Sequence, residues 1–297
     1  MGWRRILIFS FRGSPGEGSV VIVFIHINKT GGSTLRYLLR SAFGIRHCDV
    51  EPWHGSWSDP PFSAEDLHRV RKLYPRLESI AGHRVTGYVD LKEPGSHFEY
   101  VTVIRDPIKA CASRFQYNVD YRKKVDLVFE DWIQNDWVRN YQTKRIAGEA
   151  DLQTAIEVIE RQNIFVGLTD RFDESMVLFK GLRAPNLDIS YRRVNVASDN
   201  TLTQKLLSDK RTRALIEAAN LVDLELYEFV RNRWYPRFQE KYGPSLEADL
   251  AAFRANKGDF NDRNIALSRA KQYSLQKPLI LLYRQPLTKR AVERLLA

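Results

Sequence analysis

The sequence is poor in cysteine and has no long apolar run, and each shortage excludes a class of protein. Its two cysteines, Cys48 and Cys111, are too few for a disulfide framework or for a zinc site with four cysteine ligands. No segment reaches the ~20 apolar residues of a transmembrane helix, and no convincing cleavage site follows the short apolar run near the N-terminus. No His, Asp, Glu and Cys residues have the spacing of a metal site. We therefore expect a soluble, cytoplasmic protein with no stable membrane anchor and no bound metal.

The charges are unbalanced toward basic residues. There are 46 Lys and Arg against 36 Asp and Glu, a net charge of +10, which favours an anionic partner such as nucleic acid, an anionic membrane, a phosphorylated cofactor or an acidic polymer. No helix-turn-helix, zinc-finger or RNA-binding signature is present, so we do not expect nucleic acid as the partner.

The apolar segments predict an α/β fold. Residues 20–27 (VVIVFIHI) form a continuous β-branched and aromatic run, typical of a strand buried on both faces. Helical spacing follows at Leu35, Leu38, Leu39 and Phe43. Strand, loop and helix in this order form the first unit of a parallel sheet. Strands are also predicted at 98–107 and 164–170, and 79–89 is ambiguous between a strand and an exit loop.

The rest of the chain is predominantly helical in pattern. Helical patterns are found in 125–148, 172–181 and 202–235, and residues 245–297 are more charged, with scattered apolar residues. We predict a P-loop-like three-layer α/β fold with a central parallel β-sheet flanked by helices. Residues 1–244 are expected to form one domain, with its core from about residue 20. Residues 245–297 are expected to form a helical C-terminal appendage that packs on the same domain.

The loop after the first strand has the composition of an anion site. In FIHINKTGGST (residues 24–34) the Lys-Thr pair precedes the glycines, the reverse of the common ATP-binding loop. Glycines allow close backbone approach, and the following helix begins with free N–H groups and a partial positive charge. The candidate anion-binding residues are Lys29, Thr30, Gly31, Gly32, Ser33 and Thr34.

The strand at 98–107 ends in Ile104-Arg105-Asp106-Pro107. A nucleotide kinase would need an acidic residue here to help hold Mg²⁺. Because an arginine precedes the acid, the pattern favours direct pairing with an anion over a metal site. A P-loop nucleotide kinase and a non-enzymatic polyanion-binding protein remain as alternatives at this point.

Two linked motifs resemble sulfotransferases that use 3′-phosphoadenosine 5′-phosphosulfate (PAPS). HINKTGGSTL resembles their 5′-phosphosulfate loop, and VTVIRDPIKACASRFQY resembles their 3′-phosphate segment, with Arg105 and Ser113 eight residues apart. NYQTKRIAG, FVGLTDRFDESM and YRRVNVASDN resemble further family segments. The resemblance is to the carbohydrate branch, the heparan-sulfate 2-O-like enzymes, and it spans about Val20 to Gly243. Asn28 replaces the usual proline, and Lys144 precedes Arg145.

The resemblance implies a role for particular residues. Lys29 would stabilise the leaving phosphate oxygen, and His83, in Gly-His-Arg, would be the general base that takes the proton of the acceptor hydroxyl. The cofactor PAPS would be bound by the loop together with Arg105, Ser113, Arg193 and Asn195. Candidate substrate-binding residues are Arg84, Asn140, Thr143 and Arg145. The sulfuryl group carries less charge than a phosphoryl group, so no metal is required.

The acceptor is expected to be a hydroxyl of a carbohydrate, with an anionic sugar polymer favoured by basic residues near the motifs. Besides Arg84 and Arg145, these are Arg114, Arg122, Lys123, Lys124 and Lys144, which are alternatively solvated surface charges. Trp53 and Trp57 are placed to stack on sugars or to pack internally. Animal members of this branch are usually Golgi enzymes with a membrane anchor. Because no anchor is found in this sequence, we expect a bacterial-type cytoplasmic enzyme. The Golgi lumen is expected only if an anchor has been truncated.

Overall fold

A computed structural model of the protein describes residues 19–53, 60–121, 123, 126–194 and 200–296. Its centre is a sheet of five parallel strands in the order β2-β3-β1-β4-β5. The strands are β1 (Ser19–Ile25), β2 (His47–Asp49), β3 (Ser79–Gly82), β4 (Ser96–Ile104) and β5 (Phe165–Leu168). With helices around a parallel sheet, the predicted three-layer α/β fold is confirmed.

Fifteen α-helices are distinguished in the described part of the chain. The first seven are α1 (Gly32–Phe43), α2 (Ala64–Leu73), α3 (Pro107–Asp120), α4 (Phe129–Ile133), α5 (Tyr141–Ala147), α6 (Leu152–Arg161) and α7 (Phe172–Arg183). The other eight are α8 (Thr201–Ser208), α9 (Lys210–Ala219), α10 (Leu221–Phe229), α11 (Tyr235–Tyr242), α12 (Leu246–Ala255), α13 (Asp262–Lys271), α14 (Lys277–Tyr283) and α15 (Pro286–Leu296).

Strand β1 lies in the middle because its residues suit burial on both faces. Residues 21–25 are all buried, and β1 pairs with β3 on one side and β4 on the other, with Ile25 opposite Gly82 and Thr102. Thr102 donates its hydroxyl hydrogen to the carbonyl oxygen of Ile25 (2.8 Å), so this buried polar side chain is satisfied inside the sheet.

The strand order reverses between β1 and β4. From β1 the chain crosses to the edge strand β2 and returns to β3, whereas from β4 it continues to β5 on the opposite edge. The connections after β1 and β4 therefore leave in opposite directions. In open parallel sheets such a reversal opens a crevice outside the carboxyl ends of the two strands, and ligands bind there.

The helices are shorter than predicted, because the predicted helical segments are interrupted at two places. Between α8 and α9, Asp209 accepts a hydrogen bond from the backbone N–H of Thr212 (2.7 Å) and so begins a new helix. Residues 125–148 contain two short helices instead of one long one, and Asn140, between them, has a φ of 47°. An α-helix cannot continue through that left-handed conformation.

Helix α13 and the helical turn that follows it (Gln272–Gln276) contact the residues around β2. The Asn264 side chain donates to the carbonyl oxygen of Ser41 (2.8 Å), and that of Gln276 to the carbonyl oxygen of Asp49 (2.9 Å). Where the domain ends, near residue 244, stays a prediction. Within the described ranges, no helix has both the length and the apolar character that crossing a membrane requires.

Candidate active site

The loop between β1 and α1 turns sharply at two residues. Lys29 has a φ of 67° and Gly31 a φ of 86°, both left-handed. Helix α1 begins at Gly32 without an acidic residue in its first turn, and no side chain among the described residues caps it. Its first N–H groups are therefore directed into the crevice between β1 and β4, with the partial positive charge of the helix N-terminus.

Gly32 is needed because a histidine ring occupies the space of a side chain. A Cβ at Gly32 would lie 2.1 Å from Cδ2 and 2.3 Å from Nε2 of His26. The His26 ring is stacked between Phe24 and His83, with centroid distances of 5.2 Å and 4.1 Å. His26 thus shapes the loop from inside the core.

Lys29 and Arg105 are close together at the strand-order reversal. Arg105, which follows β4, donates from its guanidinium to the carbonyl oxygen of Lys29 (3.1 Å). Lys29 Nζ lies 4.8 Å from the centroid of the Tyr117 ring on α3. Burial lowers the pKa of Lys29, the charge of Arg105 lowers it further, and Asp120 partly opposes both. Burial also lowers the pKa of Arg105. An anion between these two cations would relieve their mutual repulsion.

Thr169, which the sequence analysis did not single out, joins the two loops. Its hydroxyl oxygen lies 2.7 Å from the carbonyl oxygen of Thr30 and 3.0 Å from that of Ile104. The signal that could have identified it is a hydroxyl directly after the buried strand β5, within a segment that resembles the family. This bridge holds the ends of β1 and β4 at a fixed distance from each other.

A side chain of helix α5 holds the backbone of Arg105 in position. The Gln142 side-chain amide exchanges two hydrogen bonds with the backbone of Arg105, at 3.0 Å and 2.8 Å. Asp223, on α10, accepts from the backbone N–H groups of Gln142 (3.0 Å) and Thr143 (2.7 Å) and from the Thr143 hydroxyl (2.6 Å). Burial raises the pKa of Asp223, and these hydrogen bonds oppose the rise. Thr143, fully buried, therefore connects helices.

His83 follows β3 and is half-buried beside His26. Its Nδ1 lies 2.9 Å from the carbonyl oxygen of His26. A carbonyl only accepts, so Nδ1 carries the hydrogen in this contact, and the basic nitrogen of the neutral ring is then Nε2. Burial lowers the pKa of His26 well below 6.5, and His83 and Arg36 lower it further, so His26 stays neutral. Arg145 donates to the backbone carbonyl oxygens of His83 and Val85 and fixes this segment.

The other predicted ligand-binding residues belong to different parts of the chain. Ser113 is half-buried on α3, and Arg193 is exposed. The Asn140 side chain accepts from the backbone N–H groups of Val222 (3.0 Å) and Asp223 (3.3 Å) and so caps α10. Asn195, Trp57, Arg122 and Lys124 lie outside the described residues.

Besides Arg145, two further basic residues near the motifs, Arg114 and Lys144, are engaged within the protein. The buried Arg114 guanidinium lies 4.3 Å from the Tyr141 ring centroid and donates to the Val138 carbonyl oxygen. Lys144 pairs with Asp136 at 2.7 Å. In the described ranges, no three His, Cys, Asp or Glu side chains are grouped to hold a metal ion.

Comparison with known proteins finds distant relatives in animals. The chain is 20% identical over 282 residues to heparan-sulfate 6-O-sulfotransferase 2 of Gallus gallus. It is 24% identical over 284 residues to heparan-sulfate 6-O-sulfotransferase 3-B of Danio rerio, and 25% identical over 264 residues to galactosylceramide sulfotransferase of Mus musculus. These matches cover 75%, 75% and 78% of this chain and 69%, 66% and 61% of the relatives. No family model matches the chain.

The relatives support a sulfotransferase of sugar or glycolipid acceptors, and they correct one prediction. The expectation of a bacterial-type cytoplasmic enzyme is wrong, because the sulfotransferases that the chain matches are eukaryotic, from chicken, zebrafish and mouse. Since these three are named for 6-O-sulfation of heparan sulfate and for galactosylceramide, the likeness to the 2-O-like branch stays a prediction.

Proposed function

We propose that the protein transfers a sulfuryl group from PAPS to a hydroxyl of a carbohydrate or glycolipid, without a metal. The observation that carries the proposal is the placement of Lys29 and Arg105 where the strand order reverses, with the Arg105 guanidinium bonded to the Lys29 backbone carbonyl (3.1 Å) and its charge lowering the pKa of Lys29. Two partly buried cations beside the N-terminus of α1 form a site for a ligand with several negative charges.

The residues present fit such a donor. Lys29 keeps a left-handed conformation that costs a residue with a side chain roughly 1–3 kcal/mol, and strain of this kind is concentrated at functional sites. The loop from Thr30 to Thr34 would bind the 5′-phosphosulfate through N–H groups and hydroxyls. Arg105 and Ser113 would bind the 3′-phosphate, for which the planar guanidinium provides paired donors.

Lys29 and His83 divide the chemistry between the two ends of the reaction. When bound, PAPS supplies the sulfuryl group, whose bond to the 5′-phosphate oxygen breaks as its bond to the acceptor oxygen forms. Lys29 stabilises the negative charge that develops on the phosphate oxygen. His83 accepts the acceptor's proton at Nε2, because Nδ1 already donates to the His26 carbonyl.

The acceptor class is proposed from the relatives and from charge. Heparan sulfate and galactosylceramide, in the relatives' names, are a sulfated polysaccharide and a glycolipid. Their common feature is a sugar hydroxyl, so we propose a sugar hydroxyl as the group that is sulfated. The net charge of +10 favours association with an anionic polymer or an anionic surface.

Ligand binding tests the proposal against its alternatives. Titration calorimetry should show that 3′,5′-adenosine bisphosphate (PAP) binds more tightly than ATP with Mg²⁺. Labelled PAPS should transfer sulfate to a panel of glycans and glycolipids. Lys29→Ala should abolish transfer, whereas Lys72→Ala, an exposed lysine on α2, should retain it. A preference for ATP would favour a kinase, and full polyanion binding without transfer would favour a binding protein.

A further inference from the structure

The last helix, α15, has two apolar faces. Val292 and Leu296, four residues apart, are buried in the main hydrophobic core. Leu287, Ala291 and Leu295 recur at the same spacing on another face, where Leu287 is 98% and Leu295 65% exposed. A surface helix needs one apolar face to pack on its protein. The second apolar face of α15 is therefore not explained by the fold.

Two arginines belong to this second face. Arg290 and Arg294 are exposed, and each follows an apolar residue of the face by three positions. Among the described residues, neither guanidinium is in an ion pair. The spacing i, i+3, i+4, i+7, i+8 places five side chains on one side of a helix. We call this set the α15 face: Leu287, Arg290, Ala291, Arg294 and Leu295.

The exposed apolar surface continues onto α14. Leu281 and Leu282 are exposed on that helix. The Thr288 hydroxyl donates to the carbonyl oxygen of Leu282 (2.5 Å), which holds the start of α15 against the end of α14. The acidic residue of α15, Glu293, is paired with Lys289 (3.9 Å). Exposed leucines therefore occur beside positive charge that no acidic side chain of α15 neutralises.

This combination fits one kind of partner. Exposed apolar patches mark contacts with proteins or with membranes. Two copies of the α15 face would bring four arginines together, and like charges across an interface are unfavourable. The surface of an anionic bilayer matches both properties of the face. Leucine side chains can enter the acyl boundary, while the long arginine side chains reach the phosphates of the headgroups.

We infer that the α15 face binds the surface of an anionic lipid bilayer, with α15 lying in the plane of the interface. The inference goes beyond the proposed function and does not depend on it. The contact is peripheral, because α15 has 11 residues and a helix needs ~20 to span a bilayer.

Co-sedimentation of the full chain with vesicles tests the inference. We expect binding to vesicles of phosphatidylcholine with about one-third phosphatidylserine, and at least about tenfold weaker binding at high salt or to phosphatidylcholine alone. Leu287→Ser should weaken binding about tenfold, because a leucine side chain no longer leaves water. Replacing both Arg290→Gln and Arg294→Gln should weaken it about 25-fold, since each arginine contributes about fivefold.

Two matched controls lie on other helices. Leu221→Ser and Arg211→Gln replace exposed residues of α10 and α9, and both should leave vesicle binding unchanged. All the variants should keep the wild-type free energy of unfolding in urea, because each replaced side chain is exposed. A loss of vesicle binding in the α15 variants then reports the contact itself.

The outcomes distinguish the bilayer from other partners. Absence of binding to the anionic vesicles overturns the inference, as does equal binding to phosphatidylcholine alone or unchanged binding in Leu287→Ser. A wild-type dimer that Leu287→Ser dissociates in sedimentation velocity would assign the face to a second copy, and it also overturns the inference. PAP binding is measured separately, so a failure of the proposed function would leave vesicle binding unaffected.

Discussion

Gly32→Ala should destabilise the protein through one identified contact. The new Cβ would lie 2.1 Å from Cδ2 of His26, where carbon atoms normally lie about 3.5–4.0 Å apart. The His26 ring cannot move away freely, since it is 4% exposed and stacked between Phe24 and His83. Overpacking of this kind costs about 1–3 kcal/mol, and the size of the overlap places the expected loss near 3 kcal/mol.

A double-mutant cycle isolates the contact. His26→Ala removes the ring, so Gly32→Ala should then change the free energy of unfolding by less than about 1 kcal/mol, or stabilise α1 slightly, because alanine has the higher helix propensity. The sum of the single losses should exceed the loss in the double variant by about 2–3 kcal/mol. Urea unfolding of the four proteins measures each value.

Additivity within about 0.5 kcal/mol would refute the reasoning, because it would mean that residues 26 and 32 do not interact. The kinetic prediction is separate. Displacing the His26 ring also displaces His83, whose ring is stacked on it at 4.1 Å, and a misplacement of about 1 Å can cost ~100-fold in rate. We therefore expect kcat of Gly32→Ala to fall about 100-fold.

Three further predictions concern pH, the two loops and helix α5. The free energy of unfolding should fall as the pH drops below 6.5, by up to about 1.4 kcal/mol per pH unit, because the pKa of His26 is lowered in the folded protein and the unfolded chain takes up the proton first. In urea titrations, His26→Gln should flatten the dependence of the free energy of unfolding on pH between pH 6.5 and about 5. An unchanged dependence would contradict its assignment to His26. Thr169→Val should lower the free energy of unfolding by about 1–3 kcal/mol and weaken PAP binding in calorimetry, because the single hydroxyl hydrogen shared between two buried carbonyls is lost. Thr154→Val is the control, and an unaltered PAP affinity would count against the bridge. Asp223→Asn should lower the free energy of unfolding, measured by chemical denaturation, by about 3 kcal/mol, because an amide N–H₂ would face N–H donors. The exposed Asp136→Asn should leave that free energy unchanged. Equal effects of the two substitutions would contradict the role of burial.

Three of the five strands, β1, β4 and β5, could be predicted from the sequence because their signal is local, whereas β3 was ambiguous and the three-residue β2 was not predicted. The run at 20–27 is β-branched and aromatic throughout, as a strand covered on both faces requires. The loop after it has a composition typical of an anion site, and Arg105 follows a second buried strand. That the loop and Arg105 belong to one site was implied by the resemblance to sulfotransferases, and the parallel order of the strands explains why they meet at one edge of the sheet.

The remaining features depend on contacts that a linear pattern does not contain. The sequence indicates a hydroxyl at Thr169 but not that it lies between the carbonyls of Thr30 and Ile104. Asn140 has the composition of a ligand-binding residue, yet it caps α10, 82 positions away. From the sequence, Trp53 could equally well stack on a sugar or pack internally. Its edge contact with Tyr283, on a helix near the other end of the chain, shows that it packs internally.

The contacts between the last helices and β2 have a consequence for the order of synthesis. Asn264 is 223 positions after Ser41, Gln276 is 227 after Asp49, and Arg284 is 231 after Trp53. At translation rates of ~5–20 residues per second, the outer strand therefore waits roughly 11 to 45 s before its partners are synthesised. During that interval an uncovered strand edge is open to pairing with another nascent chain. The three-residue length of β2 keeps that edge short while the chain is incomplete.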